Sequence, residues 1–481
     1  MPLRPDLPDY QPVTNPAAGK SKTPKPIINE VPASVAKPEA AVPSSTRARL
    51  IKNGHTLSYY GLFLFTAVLY FRPYELIPAL SFLDRVAFVL AIVTLVIFIP
   101  SQLAVEGTLT FRPREINLLL LLCVAGLLSI PLALSPGKAW NEFNDVFIKA
   151  VLMFIVLVNV LRSKTRLRML LYLALSVTVL LSVNAIRDYR AGNFAPEGER
   201  INGLIGGMFG NPNDLALHFV TMAPIAIGLM FASKRLLGKL IFATIAGLTV
   251  MANVVTFSRG GFLGLLATAF VLIWKIGREH RLAVVVFTPI ILVIFIVAAP
   301  GSYGSRLMSI FVRDMDTHGT ANTRQEILYR SILVSIRNPI TGIGMGNFPT
   351  MSVHETVTHN AFTQVSAEMG TAALIVYLMF LTAPIRRLRK LEKRSSAEQS
   401  RFYYYLSIGL QASLIGYMVS AFFAAVAYQW YAYYLVGYAL SLWRLFEAEP
   451  ASEVNQVSSS KVLTPAPVYP GFQRGEANST F

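Results

Sequence analysis

Residues 211–239 read NPNDLALHFVTMAPIAIGLMFASKRLLGK, and this order decides the fold. An apolar run over 213–232 follows Asn211 and Pro212 and ends against Lys234, Arg235 and Lys239. About 20 apolar residues in a helix cover the roughly 30 Å hydrocarbon core of a bilayer. Hydrocarbon offers the backbone no hydrogen-bond partner, so such a run must be helical. Pro212 suits a first helical turn, where its missing N–H costs nothing. The basic cluster marks the end that stays cytoplasmic.

The pattern recurs along the chain. Similar windows lie near 57–71, 86–100, 115–135, 145–161, 169–186, 236–256, 260–276, 282–299, 361–383, 402–424 and 426–444. The expected fold is therefore an all-α membrane protein with about twelve transmembrane helices over 57–446. The 481 residues are 54% hydrophobic and 14% charged, yet the net charge is +17. A soluble nucleic-acid binder reaches such a charge with a densely charged surface, which this composition cannot supply. The single cysteine, Cys123, excludes an intrachain disulfide and reads as a packing residue.

Both ends differ from the middle. Residues 1–56 are rich in Pro, Ala, Ser and Lys, lack a signal-peptide core and read as a disordered tail; 447–481 read the same way. Four loops carry most of the internal basic charge. They hold Arg162, Lys164, Arg166 and Arg168; Lys234, Arg235 and Lys239; Lys275, Arg278 and Arg281; and the run from Arg386 to Arg394. With twelve spans all four fall on the side of both termini, which is predicted to be cytoplasmic. The outer side then holds three notable polar segments: 187–213, the turn at Ser258-Arg259, and a long connection over about 300–360 between helices 9 and 10.

Of twelve basic residues placed outside, eleven are Arg and one is Lys138. Arg presents a planar, permanently charged fork that fits phosphate oxygens. An outer Arg cluster at a membrane surface suits a lipid-linked phosphate or pyrophosphate, whereas a single such Arg can equally snorkel. Around Arg200 the sequence runs to Gly203, Gly206, Gly207, Gly210, Asn211, Pro212 and Asn213, which allows close backbone approach next to a helix start. Ser258-Arg259-Gly260-Gly261 sits between two apolar windows, where charge is expensive unless used or paired.

The long outer connection holds Arg313, Asp314, Asp316, His318, Arg324 and Arg330, then Asn338-Pro339 with Gly342, Gly344 and Gly346, then His354, His359, Asn360 and Glu368. Thr323–Ser335 reads as an amphipathic surface helix with apolar Ile327, Leu328 and Ile332. His359 stands at the mouth of a span, and a neutral imidazole there can accept a proton from a sugar hydroxyl. No metal motif is present; Asp314-Met-Asp316 is a weak DxD-like pair. Lys149 and His218 fall within spans and read as bundle-interior residues with local partners. The aromatic stretch from Tyr428 to Tyr434 reads as an interfacial belt, or alternatively a sugar-stacking surface.

Taken in order, Arg200-x-x-Gly203 to Asn211-Pro-Asn213, Ser258-Arg259-Gly260-Gly261, Arg324 with Asn338–Phe348, and His359-Asn360 with Glu368 and Gly370 resemble the O-antigen ligase and polymerase superfamily. The resemblance covers about 200–370. It implies a C-type glycosyltransferase-like fold in the bacterial inner membrane and no metal or other cofactor. The donor would be a polyprenyl-pyrophosphate-linked glycan, and the acceptor a glycan or lipid A-core, with polysaccharide assembly proteins as further partners. It implies that Arg200, Arg259 and Arg324 hold the pyrophosphate, that His359 is the catalytic base, and that Asn211, Asn213, Ser258, Asn360, Glu368 and His354 support them. A transporter or flippase would share the span count, but no internal repeat is visible. An assembly scaffold would leave the outer Arg and His pattern unexplained.

Overall fold

The computed structural model describes residues 55–194, 200–277, 320–352, 355–395 and 400–461. All lie in the larger of two units into which the chain divides, Ser44–Phe481. Every described element is helical. In chain order they are α1 (Thr56–Phe71), α2 (Val86–Glu106), α3 (Arg114–Ser129), α4 (Pro136–Val160), α5 (Lys164–Ala191), α6 (Pro212–Ala232) and α7 (Leu236–Val255). Then come α8 (Arg259–Ile276), α9 (Thr320–Arg337), α10 (Ala361–Met369), α11 (Thr371–Arg394), α12 (Arg401–Ala421) and α13 (Trp430–Lys461).

Among the described residues, 7 segments are long and apolar enough to cross a membrane: Pro78–Glu106, α4, α5, α6, α7, α8 and α11. Of the other expected spans, α1 and α3 have only 16 residues each. Helix α12 is less apolar because it sits inside the bundle, with Gln411, Ser407 and Ser413 buried against neighbouring helices. The window at 282–299 lies outside the described residues, as do 300–319 and 353–354 of the 300–360 connection and the N-terminal tail to residue 54.

Three expected boundaries move. The 361–383 window is two helices, because Gly370 adopts φ +91 between α10 and α11. Helix α4 begins before its apolar window, at Pro136, and carries a π-helical turn at Phe143–Phe147. Helix α13 runs on to Lys461, so the first part of the segment read as a C-terminal tail is helical.

Helix α6 is central, with 78% of its apolar window buried; only 11% is buried in the segment ending α2. Val89, Ile92, Val93, Val96 and Ile99 of α2 are exposed in a row, as lipid-facing residues should be. Helices α6 and α12 meet backbone to backbone. A Cβ on Gly409 would lie 2.6 Å from the Pro224 carbonyl oxygen, and one on Gly228 would lie 2.8 Å from that of Tyr405. Small residues permit this approach in a bilayer, where packing replaces the hydrophobic drive between helices.

One end of the bundle is tied by ion pairs. Glu106 accepts from Arg162 at 2.8 Å and Arg444 at 2.6 Å, Glu115 accepts from Arg387 at 2.6 Å, and Glu392 accepts from Lys275 at 2.5 Å. The arginines and lysines of the basic loops thus also bind helices together there. His218 is fully buried between Phe209, Tyr70 and Tyr431, with Nε2 3.0 Å from Thr178 Oγ1, as a packing residue would be. Lys149 corrects its reading: it is partly exposed, pairs with Asp145 at 3.2 Å and lies over the Phe88 ring.

Candidate functional site

Two groups of the expected residues form, each built around a helix N-terminus. In the first, Asn211 caps α6, accepting from the N–H groups of Asn213 at 2.8 Å and Asp214 at 3.0 Å. Ser258 caps α8 through Gly261 N–H at 3.2 Å. The Asn213 Oδ1 joins the two ends, accepting from Arg200 Nη2 at 2.7 Å and from Ser258 Oγ at 3.0 Å. Arg259 is the first residue of α8, immediately after this cap, and is half-buried.

The glycines near this group allow contacts that larger residues would block. Gly203 N–H donates to the Gly210 carbonyl, and a Cβ at 203 would lie 2.0 Å from the Phe209 oxygen. A Cβ on Gly261 would meet that of Ala216 at 2.6 Å, so α8 starts in contact with α6. Asn253 Nδ2 donates to the Ala216 carbonyl at 2.9 Å and closes the third side from α7.

Asn213→Ala removes the oxygen to which Arg200 and Ser258 both donate. Arg200 is 7% exposed, so a weakened partner set is expected to cost about 1–3 kcal/mol. A lowered Tm in detergent checks this, and Asn213→Asp, which keeps an acceptor there, should recover most of the loss.

In the second group Asn360 caps α10, accepting from the N–H groups of Phe362 at 2.9 Å and Thr363 at 3.1 Å. His359 precedes it with φ +49, a left-handed backbone that a histidine rarely adopts, and is half-buried. The glycine-rich stretch 342–346 follows the turn after α9. It wraps the far end of α10: Ile343 N–H donates to the Ala367 carbonyl and Gly344 N–H to that of Glu368, both at 2.9 Å. Gly342, Gly344 and Gly346 all have positive φ there.

Glu368 is buried at this clasp, accepting from Phe348 N–H at 3.3 Å and Tyr428 Oη at 2.9 Å. It lies just before the apolar helix α11 and is 2% exposed. Its contacts make it a fastener of the clasp.

Arg324 lies near the start of α9 and is half-buried. Helix α9 packs on the clasp through Ile327 and Val334 against Ile343, Phe348 and Ala367, and Ser335 Oγ lies 2.8 Å from Ser366 Oγ. Its helical extent agrees with the amphipathic reading, but Ile332, expected on the apolar face, is 42% exposed. His354, Asp314 and Asp316 lie outside the described residues. Among the described residues, no three or more His, Cys, Asp or Glu side chains gather as a metal site would require.

The link between the groups was missed in the sequence. Tyr428 reaches Glu368, while Tyr431 Oη donates to the Met208 carbonyl and, at 3.3 Å, to that of Asp214. Ser420 Oγ donates to the Gly260 carbonyl at 3.1 Å, and Gln364 Oε1 accepts from Ala427 N–H at 3.3 Å. Tyr428, Tyr431, Tyr433 and Tyr434 are all buried, which corrects the reading of this stretch as a belt or stacking surface. They are struts that hold the start of α13 between the two groups. Tyr428, Tyr431 and Tyr434 are spaced by 3, which was a signal for one buried face at the start of α13.

No curated protein matches the chain. The stretch 244–378 carries Ser258, Arg259, Arg324, the glycine clasp, His359, Asn360 and Glu368, while Arg200, Asn211 and Asn213 precede it. That stretch is similar to the family whose model is described as O-antigen ligase, and it lies in a chain whose described residues are helical and include 7 segments long and apolar enough to cross a membrane.

Proposed function

We propose that the chain transfers a glycan from a polyprenyl-pyrophosphate carrier to an acceptor hydroxyl at the periplasmic face of the bacterial inner membrane. The observation that carries this reading is the shared Asn213 Oδ1, which fixes Arg200 beside the α8 cap that presents Arg259. Two helix N-termini and the Arg200 guanidinium belong to one assembly, with Arg259 as the first residue of α8, and these features favour an anion. Arg324 is the third proposed phosphate ligand.

The acceptor oxygen attacks the anomeric carbon, a new C–O bond forms, and the bond from that carbon to the pyrophosphate oxygen breaks. His359 takes the acceptor proton. The departing polyprenyl pyrophosphate gains negative charge, which the arginines neutralise in place of a cation. Attack from the face opposite the leaving group inverts the anomeric centre. The topology that belongs to this reading has about twelve spans with both termini cytoplasmic.

Arg259→Lys keeps the charge and loses the fork. Loss of one charge-assisted hydrogen bond is expected to lower transfer about tenfold or more. Gel analysis of lipid-linked and transferred glycan in complemented deletion cells checks it. Normal transfer by the lysine variant would limit the role of Arg259 to charge alone. Long chains lost only from the lipid anchor in the deletion strain would mark a ligase; chains shortened everywhere would mark a polymerase.

A further inference from the structure

Next to the Arg200 loop lies a cavity of about 320 Å³ that none of the proposed residues fills. Its walls come from four separate parts of the chain: Arg72 after α1, Asp145 in the π-helical turn of α4, Gly207 and Met208 before α6, and Gln429 and Trp430 at the start of α13. The volume is at the lower end of the roughly 300–1,000 Å³ range of small-ligand sites.

Arg72 is held in a left-handed backbone, φ +41, and pairs with Glu75 at 2.5 Å; Glu75 in turn accepts from Gly206 N–H at 2.6 Å. Its guanidinium lies directly against Gly207, where a Cβ would be 2.0 Å from Nη2. The Arg72 Nε is buried and has no hydrogen-bond partner among the described residues. Across the cavity the Trp430 ring is fixed by Phe65 at 5.5 Å and Tyr434 at 6.4 Å between centroids.

The chemistry of these walls narrows the occupant. A lipid tail would leave Arg72 and Asp145 desolvated without exchange. A second phosphate would meet the Asp145 carboxylate. A sugar ring matches both kinds of wall: its hydroxyls donate and accept, which suits a guanidinium, a carboxylate and an amide together. Its C–H faces suit Trp430, Met208 and the other apolar lining.

We infer that this cavity is a sugar-binding subsite for one or two pyranose rings of the glycan, adjoining the pyrophosphate site through the shared loop 200–211. The inference rests on the reading of the chain as a glycan transferase. The ring can belong to the donor or to the acceptor glycan.

Gln429→Ala and Asp145→Asn test it. Asp145 is 60% exposed, and its carboxylate accepts from the partly exposed Lys149 at 3.2 Å and from the neighbouring Asn144 amide at 3.4 Å, so its replacement should spare the fold. With purified protein, each variant is expected to raise the KM of the sugar-bearing substrate about tenfold while kcat stays within about twofold. A rise confined to the donor places a donor sugar in the cavity, and one confined to the acceptor an acceptor sugar. Binding of glycan released from its carrier, read by tryptophan fluorescence, should weaken in both variants, while inhibition by inorganic pyrophosphate stays unchanged. Wild-type binding and KM in both variants would overturn the subsite. If the wild-type protein transfers nothing yet binds released glycan in a Gln429-dependent way, the subsite stands and the transferase reading fails.

Discussion

Replacing Gly370 by alanine is expected to open the clasp around α10 and to cost the protein on the order of 3 kcal/mol or more. Gly370 has φ +91 and ψ 167, a backbone region that only glycine occupies without strain. Space is also lacking: a Cβ would lie 2.2 Å from the Ile340 oxygen and 2.9 Å from that of Pro339. The Thr371 N–H donates to that same Pro339 carbonyl at 2.8 Å, so the clash falls on a hydrogen bond that joins the glycine stretch to α11. Thermal unfolding in detergent and proteolysis within 338–347 measure the effect. Transfer should fall with stability, because α10 positions His359 and Asn360. An alanine variant with wild-type unfolding and cleavage would show that the clasp does not hold α10.

His359→Ala is expected to reduce glycan transfer by about a hundredfold or more while leaving the protein in the membrane, since a positioned general base contributes roughly 10²–10⁴. The left-handed backbone at His359 gives a control that separates chemistry from folding. Glycine relaxes there, so His359→Gly should unfold at the same temperature or higher, by up to about 1 kcal/mol. Activity should still be lost. Substantial transfer by the glycine variant would remove His359 from the mechanism. A glycine variant less stable than wild type would show that the imidazole itself holds the loop.

Much of the bundle was legible because hydrocarbon imposes one simple rule, a long apolar helix, and α5 to α8 obey it. Helix α12 was legible as a span only by its apolar run; its buried Gln411 and serines show a helix enclosed by others, which composition does not report. The break at Gly370 was hidden because apolar residues flank it on both sides. Capping was readable where it is local: Asn211, Ser258 and Asn360 each sit just before a helix and cap it.

Partners far apart in sequence were not readable. Nothing near Asn213 points to its joining Arg200 with Ser258, and nothing near Tyr428 points to Glu368, 60 residues away. The glycines at 342, 344 and 346 stood out in the outer connection, but that they wrap the far end of α10 depends on residues 20 and more positions away. Lys149 looked interior because its neighbours are apolar, yet Asp145 stands one turn before it in the same helix and takes its charge.

The most direct test of the account is a reconstituted assay. Purified protein in liposomes is supplied with a polyprenyl-pyrophosphate-linked glycan and an acceptor, and both the product and the sidedness of the donor are followed. The expected result is new glycan–acceptor linkage with release of polyprenyl pyrophosphate, unaffected by EDTA and lost in His359→Ala. Donor that crosses the bilayer with its glycan still attached, and no linkage formed, would contradict the account and identify a transporter.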